Sequence, residues 1–223
     1  MQYEIEIKAL LGSKQAADNL IKKVYQQDSS AKLVSAQTQL NHYFKGGDLS
    51  RLAGSMKDDL ASEQLKSLEL IATRANHINV RSRQKNDQVL LVVKGSLDDV
   101  SAAHSHQRME LEAEVGLTID ELDQKIISSG WQLEAKWQAE RKIYSALGLN
   151  IDSFFTPGYG YLVEFEKVVT DDIKRDEAHQ KVANVMGSLG VSELPNDRLE
   201  RMFAYYNQHW QEYYGTDKVF VIE

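Results

Sequence analysis

Charged side chains in this sequence fall at alternate positions within short runs, and that spacing is where its chemistry is to be sought. Glu4, Glu6 and Lys8 are two apart, as are Arg81 and Arg83, then Arg108, Glu110, Glu112 and Glu114, and lastly Glu164 and Glu166. Lys94, Arg141 and Asp152 belong to similar runs. In an extended chain successive side chains alternate sides, so each run gathers its charges on one face. The carboxylates of Glu4, Glu6, Glu110, Glu112, Glu164 and Glu166 offer oxygen ligands to a divalent cation. Lys8, Arg81, Arg83, Lys94, Arg108 and Arg141 are suited to clamping phosphoryl oxygens. A metal-bridged polyphosphate satisfies both sets, and phosphoryl transfer asks chiefly for positioning and charge neutralisation.

The elements that would carry these residues follow from periodicity. Residues 3–9 alternate apolar and charged, which predicts a strand with two different faces. Gly12 and Ser13 then predict a turn and N-cap for a helix over 14–26, with Ala17, Leu20, Ile21 and Val24 on one side. An extended segment is expected over 33–45, a helical one over 48–72, and strands over 78–84 and 89–94 joined by a turn at Lys85, Asn86 and Asp87. Strand patterns return over 107–115, 131–146, 149–154 and 159–168, with a short helix over 118–129 between the first two. Helices over 171–189 and 195–211 close the chain, and Lys218 to Ile222 is a candidate terminal strand.

One strand with a charged face has an ordinary explanation, the wet side of an antiparallel sheet. Repetition argues for more. The apolar residues lie opposite the charges, and amphipathic helices are available to cover them. Packed that way, the charged faces would converge inside a closed antiparallel barrel flanked by helices, an α+β fold. A polar interior of that kind is costly unless its charges are paired or hold ions, so it is a functional feature.

Composition narrows the chemistry. The chain of 223 residues contains no cysteine, which removes disulfides, thiolate metal sites and thiol nucleophiles, and leaves oxygen ligation of hard cations such as magnesium or manganese. A formal net charge of −7 argues against a nucleic-acid partner while allowing a polyanion in a local basic pocket. No apolar stretch approaches the roughly 20 residues of a membrane span, and no signal-peptide pattern opens the sequence. A cytoplasmic protein with no membrane partner is the expectation. Only Pro157 and Pro195 occur, with no linker-like tract, so a single domain over 1–223 is expected.

These motifs, in this order, resemble the CYTH superfamily, the triphosphate tunnel metalloenzymes. The opening Glu4-Ile5-Glu6-Ile7-Lys8 matches the family's ExExK pattern at the extreme N-terminus. Val80-Arg81-Ser82-Arg83, the strand ending Lys94-Gly95, Arg108-Met109-Glu110-Leu111-Glu112 and the run from Gly158 to Glu166 follow in the family's sequence. The similarity extends to about residue 205. It implies an eight-stranded antiparallel tunnel that binds a triphosphate with magnesium or manganese. Glu4, Glu6 and Glu166 would be metal ligands, and Glu110, Glu112, Asp152 and Glu164 further ligands or water-positioning groups. Lys8, Arg81, Arg83, Lys94, Arg108 and Arg141 would contact phosphate, with Glu4, Glu6, Lys8 and Glu112 at the centre of catalysis.

Two features depart from the family. Ala139 stands where a lysine often precedes the arginine of the sixth strand, and the segment from Gly46 to His77 is longer than the family's usual link between the second and third strands, so a helical insertion is expected at about 48–77, with closing helices at about 171–211. The resemblance implies hydrolysis of inorganic triphosphate or a small organic triphosphate. Cyclisation of ATP to cyclic AMP and non-catalytic binding of a polyphosphate or nucleotide are the alternatives. His42 and Tyr43 are placed to touch a base or, more ordinarily, to serve the strand structurally. His104 and His106 fit a solvated loop better than a metal site. The aromatics Tyr205, Tyr206, Trp210, Tyr213 and Tyr214 predict packing of the last helix, and their density is also what a homodimer interface would show.

Overall fold

The computed structural model describes residues 3–96, 108–169 and 175–222. The side chains of Glu4 and Arg108 and the loop with His104 and His106 lie outside the described set. The described residues form eight strands: β1 (Tyr3–Leu10), β2 (Lys32–Lys45), β3 (Asn76–Lys85), β4 (Gln88–Ser96), β5 (Arg108–Val115), β6 (Gln132–Ala146), β7 (Leu149–Thr156) and β8 (Gly160–Val169). Six helices accompany them among the described residues: α1 (Lys14–Gln27), α2 (Leu49–Ser55), α3 (Ser62–Arg74), α4 (Ile119–Ser128), α5 (Arg175–Leu189) and α6 (Asn196–Tyr213). No described helix is long and apolar enough to cross a membrane.

The strands make one eight-stranded sheet in the order β1-β8-β7-β6-β2-β3-β4-β5, with antiparallel registered pairs. The expected architecture of eight antiparallel strands with helices is present. The order is linear, with β1 and β5 as its end strands, so ring closure is not part of this pairing. The chain divides into two compact units, residues 1–38 with 138–223, and residues 39–137.

In the first unit, β1, β8, β7 and the later part of β6 put Ile7, Ala9, Val163, Phe165, Ile151 and Tyr144 on one face. That face is buried with Leu20 and Val24 of α1 and Val182, Met186 and Leu189 of α5. Both helices can lie there because their apolar residues recur at three- and four-residue spacing. Ser13 caps α1 by accepting from the Ala16 backbone N–H at 3.2 Å. Tyr159, Tyr206 and Phe220 pack with ring centroids 5.2–5.3 Å apart, where α6 meets the β7–β8 turn. Gly158 permits this approach, since a Cβ there would sit 2.7 Å from the Tyr206 ring, and its φ of +87° would strain any other residue.

In the second unit, Phe44, Val80, Leu91, Val93, Leu111 and Ala113 form the apolar face of β2 to β5, covered by Leu52 and Met56, Leu68 and Ile71, and Leu122 and Ile126. Leu52 lies in α2 and Met56 is its C-cap, and the other two pairs come from α3 and α4 in turn. Thr118 and Glu121 form a capping box that starts α4. Gly95 lets the end of α3 rest on β4, because a Cβ there would lie 2.4 Å from that of Ala75.

Two expectations are refined. The helical stretch over 48–72 is two helices, parted after Gly54 and Ser55, both poor helix formers. The terminal strand reduces to one parallel bridge between Gly158 and Val219. It is held by Gly158 N–H on the Lys218 carbonyl and Phe220 N–H on the Gly158 carbonyl, both 2.8 Å, because a turn offers one residue's polar groups rather than a ladder.

Candidate functional site

Register decides which charged residues meet. In the first unit Glu6 lies directly opposite Glu166, Lys8 opposite Glu164, and Asp152 opposite Glu164. Two pairs of acids therefore face each other across strands on the side away from the apolar core, an arrangement that is destabilising unless cations intervene. Arg141, on β6, supplies one. Its Nε donates to Asp152 Oδ2 at 2.8 Å, and one terminal nitrogen bonds that oxygen as well as Glu164 Oε2, the latter at 2.6 Å. Lys8 supplies another, its ammonium 2.7 Å from Glu164 Oε1 and also bonded to Glu6. The Arg141 guanidinium lies over Phe154, its register partner, 4.5 Å from the ring centroid, so an apolar plate sets its orientation.

Burial works against the charges here. It pushes the Asp152 carboxyl above its ordinary range, more than Arg141 can offset, and Glu164 adds to the rise. For Arg141 burial acts against the charged form too, but Glu164 and Asp152 together hold its pKa above the usual value. Asp152 Oδ1 is buried and has no hydrogen-bond partner among the described residues. A further Lewis acid or donor would satisfy it. Backbone bonding also fixes Lys8: its carbonyl accepts from Leu194 N–H at 2.8 Å, tying β1 to the segment before α6.

The second unit has a charged face of its own. Arg81 and Arg83 on β3 lie opposite Tyr43 and Asn41 of β2, with Lys94 and Glu110 facing each other across β4 and β5. Arg83 Nε donates to Asn41 Oδ1 at 2.9 Å, and its guanidinium reaches Glu112 at 3.1 Å. Arg81 donates to the Tyr43 hydroxyl at 3.3 Å and stacks over that ring, while Lys94 lies 2.9 Å from Glu110. Arg81 Nε is buried without a partner among the described residues. Burial first, and Arg81 second, press the Arg83 pKa below its usual value against the pull of Glu112. Two crowded guanidiniums, of which only that of Arg83 bonds a carboxylate among the described residues, favour a bound anion.

The sequence-derived residues thus fall into two sets. Glu6, Lys8, Arg141, Asp152, Glu164 and Glu166 belong to the first unit, and Arg81, Arg83, Lys94, Glu110 and Glu112 to the second. Glu4 precedes Glu6 by two residues on β1, and Arg108 precedes Glu110 by two on β5. Ala139 shares the face of Arg141 and is buried, so a small apolar side chain fills that position. Three contributors were not singled out for these roles: Asn41, Tyr43 and Phe154. Parity along residues 33–45 would have found the first two, since Asn41 and Tyr43 alternate with His42 and Phe44 along the strand.

The architecture is shared with solved structures of low sequence similarity. A conserved hypothetical protein of Pyrococcus furiosus superposes with a TM-score of 0.56 at 18% identity, over 85% of this chain and 92% of its own. A candidate adenylate cyclase of Vibrio parahaemolyticus gives 0.56 at 13% identity, over 91% and 98%. The chain shares the fold of these structures, eight antiparallel strands with helices. A third structure, a candidate adenylyl cyclase from Hippeastrum with a dominant triphosphatase activity, covers 93% of this chain and 96% of its own, with a TM-score of 0.50 and 16% identity. No family model and no curated protein matches the sequence.

Proposed function

We propose that this chain is a metal-dependent hydrolase of inorganic triphosphate or a small organic triphosphate, with the charged face of β1, β6, β7 and β8 at its centre. The observation that carries the reading is the cross-strand pairing of acids on that face, Glu6 with Glu166 and Asp152 with Glu164, interleaved with Lys8 and Arg141. Such a face is stable only with cations and useful only with an anion, and a metal–polyphosphate provides both. The resemblance to the CYTH superfamily and the triphosphatase activity of the Hippeastrum protein support the same reading.

The donor set fits a hard divalent cation. It is all oxygen, the Glu6 and Glu166 carboxylates oppose each other, and Asp152 Oδ1 is unpartnered. Among the described residues no three acidic or histidine side chains already converge as a ready-made metal cage. Glu6, Glu166 and Asp152 are the residues to hold magnesium or manganese, with Glu4 beside them on β1. Bound there, the cation would neutralise phosphoryl charge and polarise the bond to be cleaved. Lys8 and Arg141 bind non-bridging oxygens, and Glu164, held between them, keeps both cations aimed at the same place. In the second unit Arg81, Arg83 and Lys94 are phosphate-binding groups, with Arg108 on the neighbouring strand, and Glu110 and Glu112 keep those cations extended.

The test is incubation of the purified protein with tripolyphosphate, thiamine triphosphate and ATP, with magnesium or manganese, scoring phosphate and cyclic nucleotide. Metal-dependent phosphate release that is lost in Glu6→Gln, with the fold intact, is the expected result. Full turnover in Glu6→Gln sinks the metal assignment, and cyclic AMP as the main product would assign ATP cyclisation instead.

A further inference from the structure

Behind the arginine pair of the second unit lies a polar group that phosphate binding does not use. His42 and Ser82 are register partners on β2 and β3, and both point to the apolar side, 2% and 0% exposed. One carboxylate, that of Asp123 on α4, serves both of them. Ser82 Oγ donates to Oδ1 at 2.5 Å, and His42 Nδ1 lies 2.7 Å from Oδ2. A carboxylate oxygen only accepts, so the imidazole proton sits on Nδ1. This is not a nucleophile relay. The acid stands between serine and histidine, the hydroxyl donates to it rather than to the imidazole, and nothing in the group activates an oxygen for attack.

The consequence lies on the other side of the sheet. One residue to either side of His42 and Ser82, the register pairs are Asn41 with Arg83 and Tyr43 with Arg81, the contacts that aim the two guanidiniums. A slip of one residue between β2 and β3 would send both arginines to the apolar face. Hydrogen bonds from two adjacent strands to one buried carboxylate oppose such a slip, because breaking either leaves a buried polar group unsatisfied. We propose that Asp123 is a positioning residue: a staple across His42 and Ser82 that fixes β2 against β3, so that Arg81 and Arg83 are held in place to receive a polyphosphate. The proposal rests on the reading of these arginines as phosphate ligands.

The experiment follows hydrogen exchange of the Arg83 Nε–H by NMR in the full chain, together with the Kd for tripolyphosphate by calorimetry. In Asp123→Ala exchange should quicken, and binding should weaken, by about tenfold, equivalent to about 1.4 kcal/mol. Asp123→Asn can still accept from one partner and donate to the other, so it should restore most of both. In an Arg81→Ala/Arg83→Ala background, Asp123→Ala should add nothing to the loss of binding, whereas general loosening would weaken both backgrounds alike. Ser82→Ala gives the same comparison if Asp123→Ala does not fold. Unchanged Arg83 exchange in a folded variant, or equal losses in the two backgrounds, overturns the staple. If the unmodified chain does not bind tripolyphosphate, the phosphate reading falls, and the exchange rates alone still decide whether Asp123 holds the arginines.

Discussion

Replacing Arg141 with methionine keeps the length of the side chain and removes the charge that two carboxylates share. Arg141, Asp152 and Glu164 have side chains only 16%, 12% and 15% exposed, so water cannot readily take the place of the guanidinium. Glu164 keeps Lys8 at 2.7 Å. Asp152 loses both donors to Oδ2, and its Oδ1 is already unpartnered. The variant is left with one uncompensated, mostly buried carboxylate, and stranding a charge in this way costs about 3–5 kcal/mol. The lower end applies, about 3 kcal/mol, because the carboxyl can escape by taking up a proton.

That escape gives the variant a pH dependence with a definite sign. Asp152 already has a folded pKa raised by burial, and Arg141 is the main group opposing the rise, so its removal raises the pKa further. Between the unfolded and folded values the folded variant holds a proton that the unfolded chain has released. Its stability then falls as pH rises through that window, by up to about 1.4 kcal/mol per pH unit, and the full penalty appears above it. Urea unfolding followed by circular dichroism, in a chelating buffer from pH 5 to pH 8, reads this directly. A loss below about 1 kcal/mol at pH 8, within the range of an exposed ion pair, or a loss of equal size at pH 5 and pH 8, refutes the reasoning.

Other perturbations bear on separate parts of the molecule. Arg81→Ala should raise the Kd for tripolyphosphate by about 10- to 100-fold, the loss of one charge-assisted contact, and should flatten the salt dependence of binding measured by calorimetry. Gly95→Ala places a methyl group 2.4 Å from the Ala75 Cβ, so β4 or α3 must shift. The expected cost is about 1–3 kcal/mol in thermal or urea unfolding. Phe165→Ala, which empties a fully buried position in the first unit, should cost about 3–5 kcal/mol while leaving the charged face in place. Magnesium added to the unmodified chain should raise its melting temperature with concentration, and Glu6→Gln should abolish that rise, as scanning calorimetry would show.

Most of the elements were legible from local pattern. The alternation of Glu4, Glu6 and Lys8 with Ile5, Ile7 and Ala9 assigned β1 its two faces, and the same parity placed Glu164 and Glu166 away from Val163 and Phe165. Ser13 marked a helix start by its capping chemistry. The side of the sheet taken by Arg81 and Arg83 was legible too, because period two is a property of the strand alone. Asp123 was harder to see, although a signal existed: an acid beside Leu122 and three residues before Ile126, on the apolar stripe of a short helix, calls for a buried partner.

Sequence alone determined which face each charge occupies and what chemistry those charges suit. Tertiary structure decided which charges meet. That Glu6 opposes Glu166, that Asp152 and Glu164 share Arg141, and that Asp123 reaches His42 and Ser82 all depend on contacts between elements far apart in the chain. Alternation fixes the side on which a residue lies but not its neighbour across the strand. The neighbour is set by register, and register is chosen by the fit of whole apolar faces against their helices.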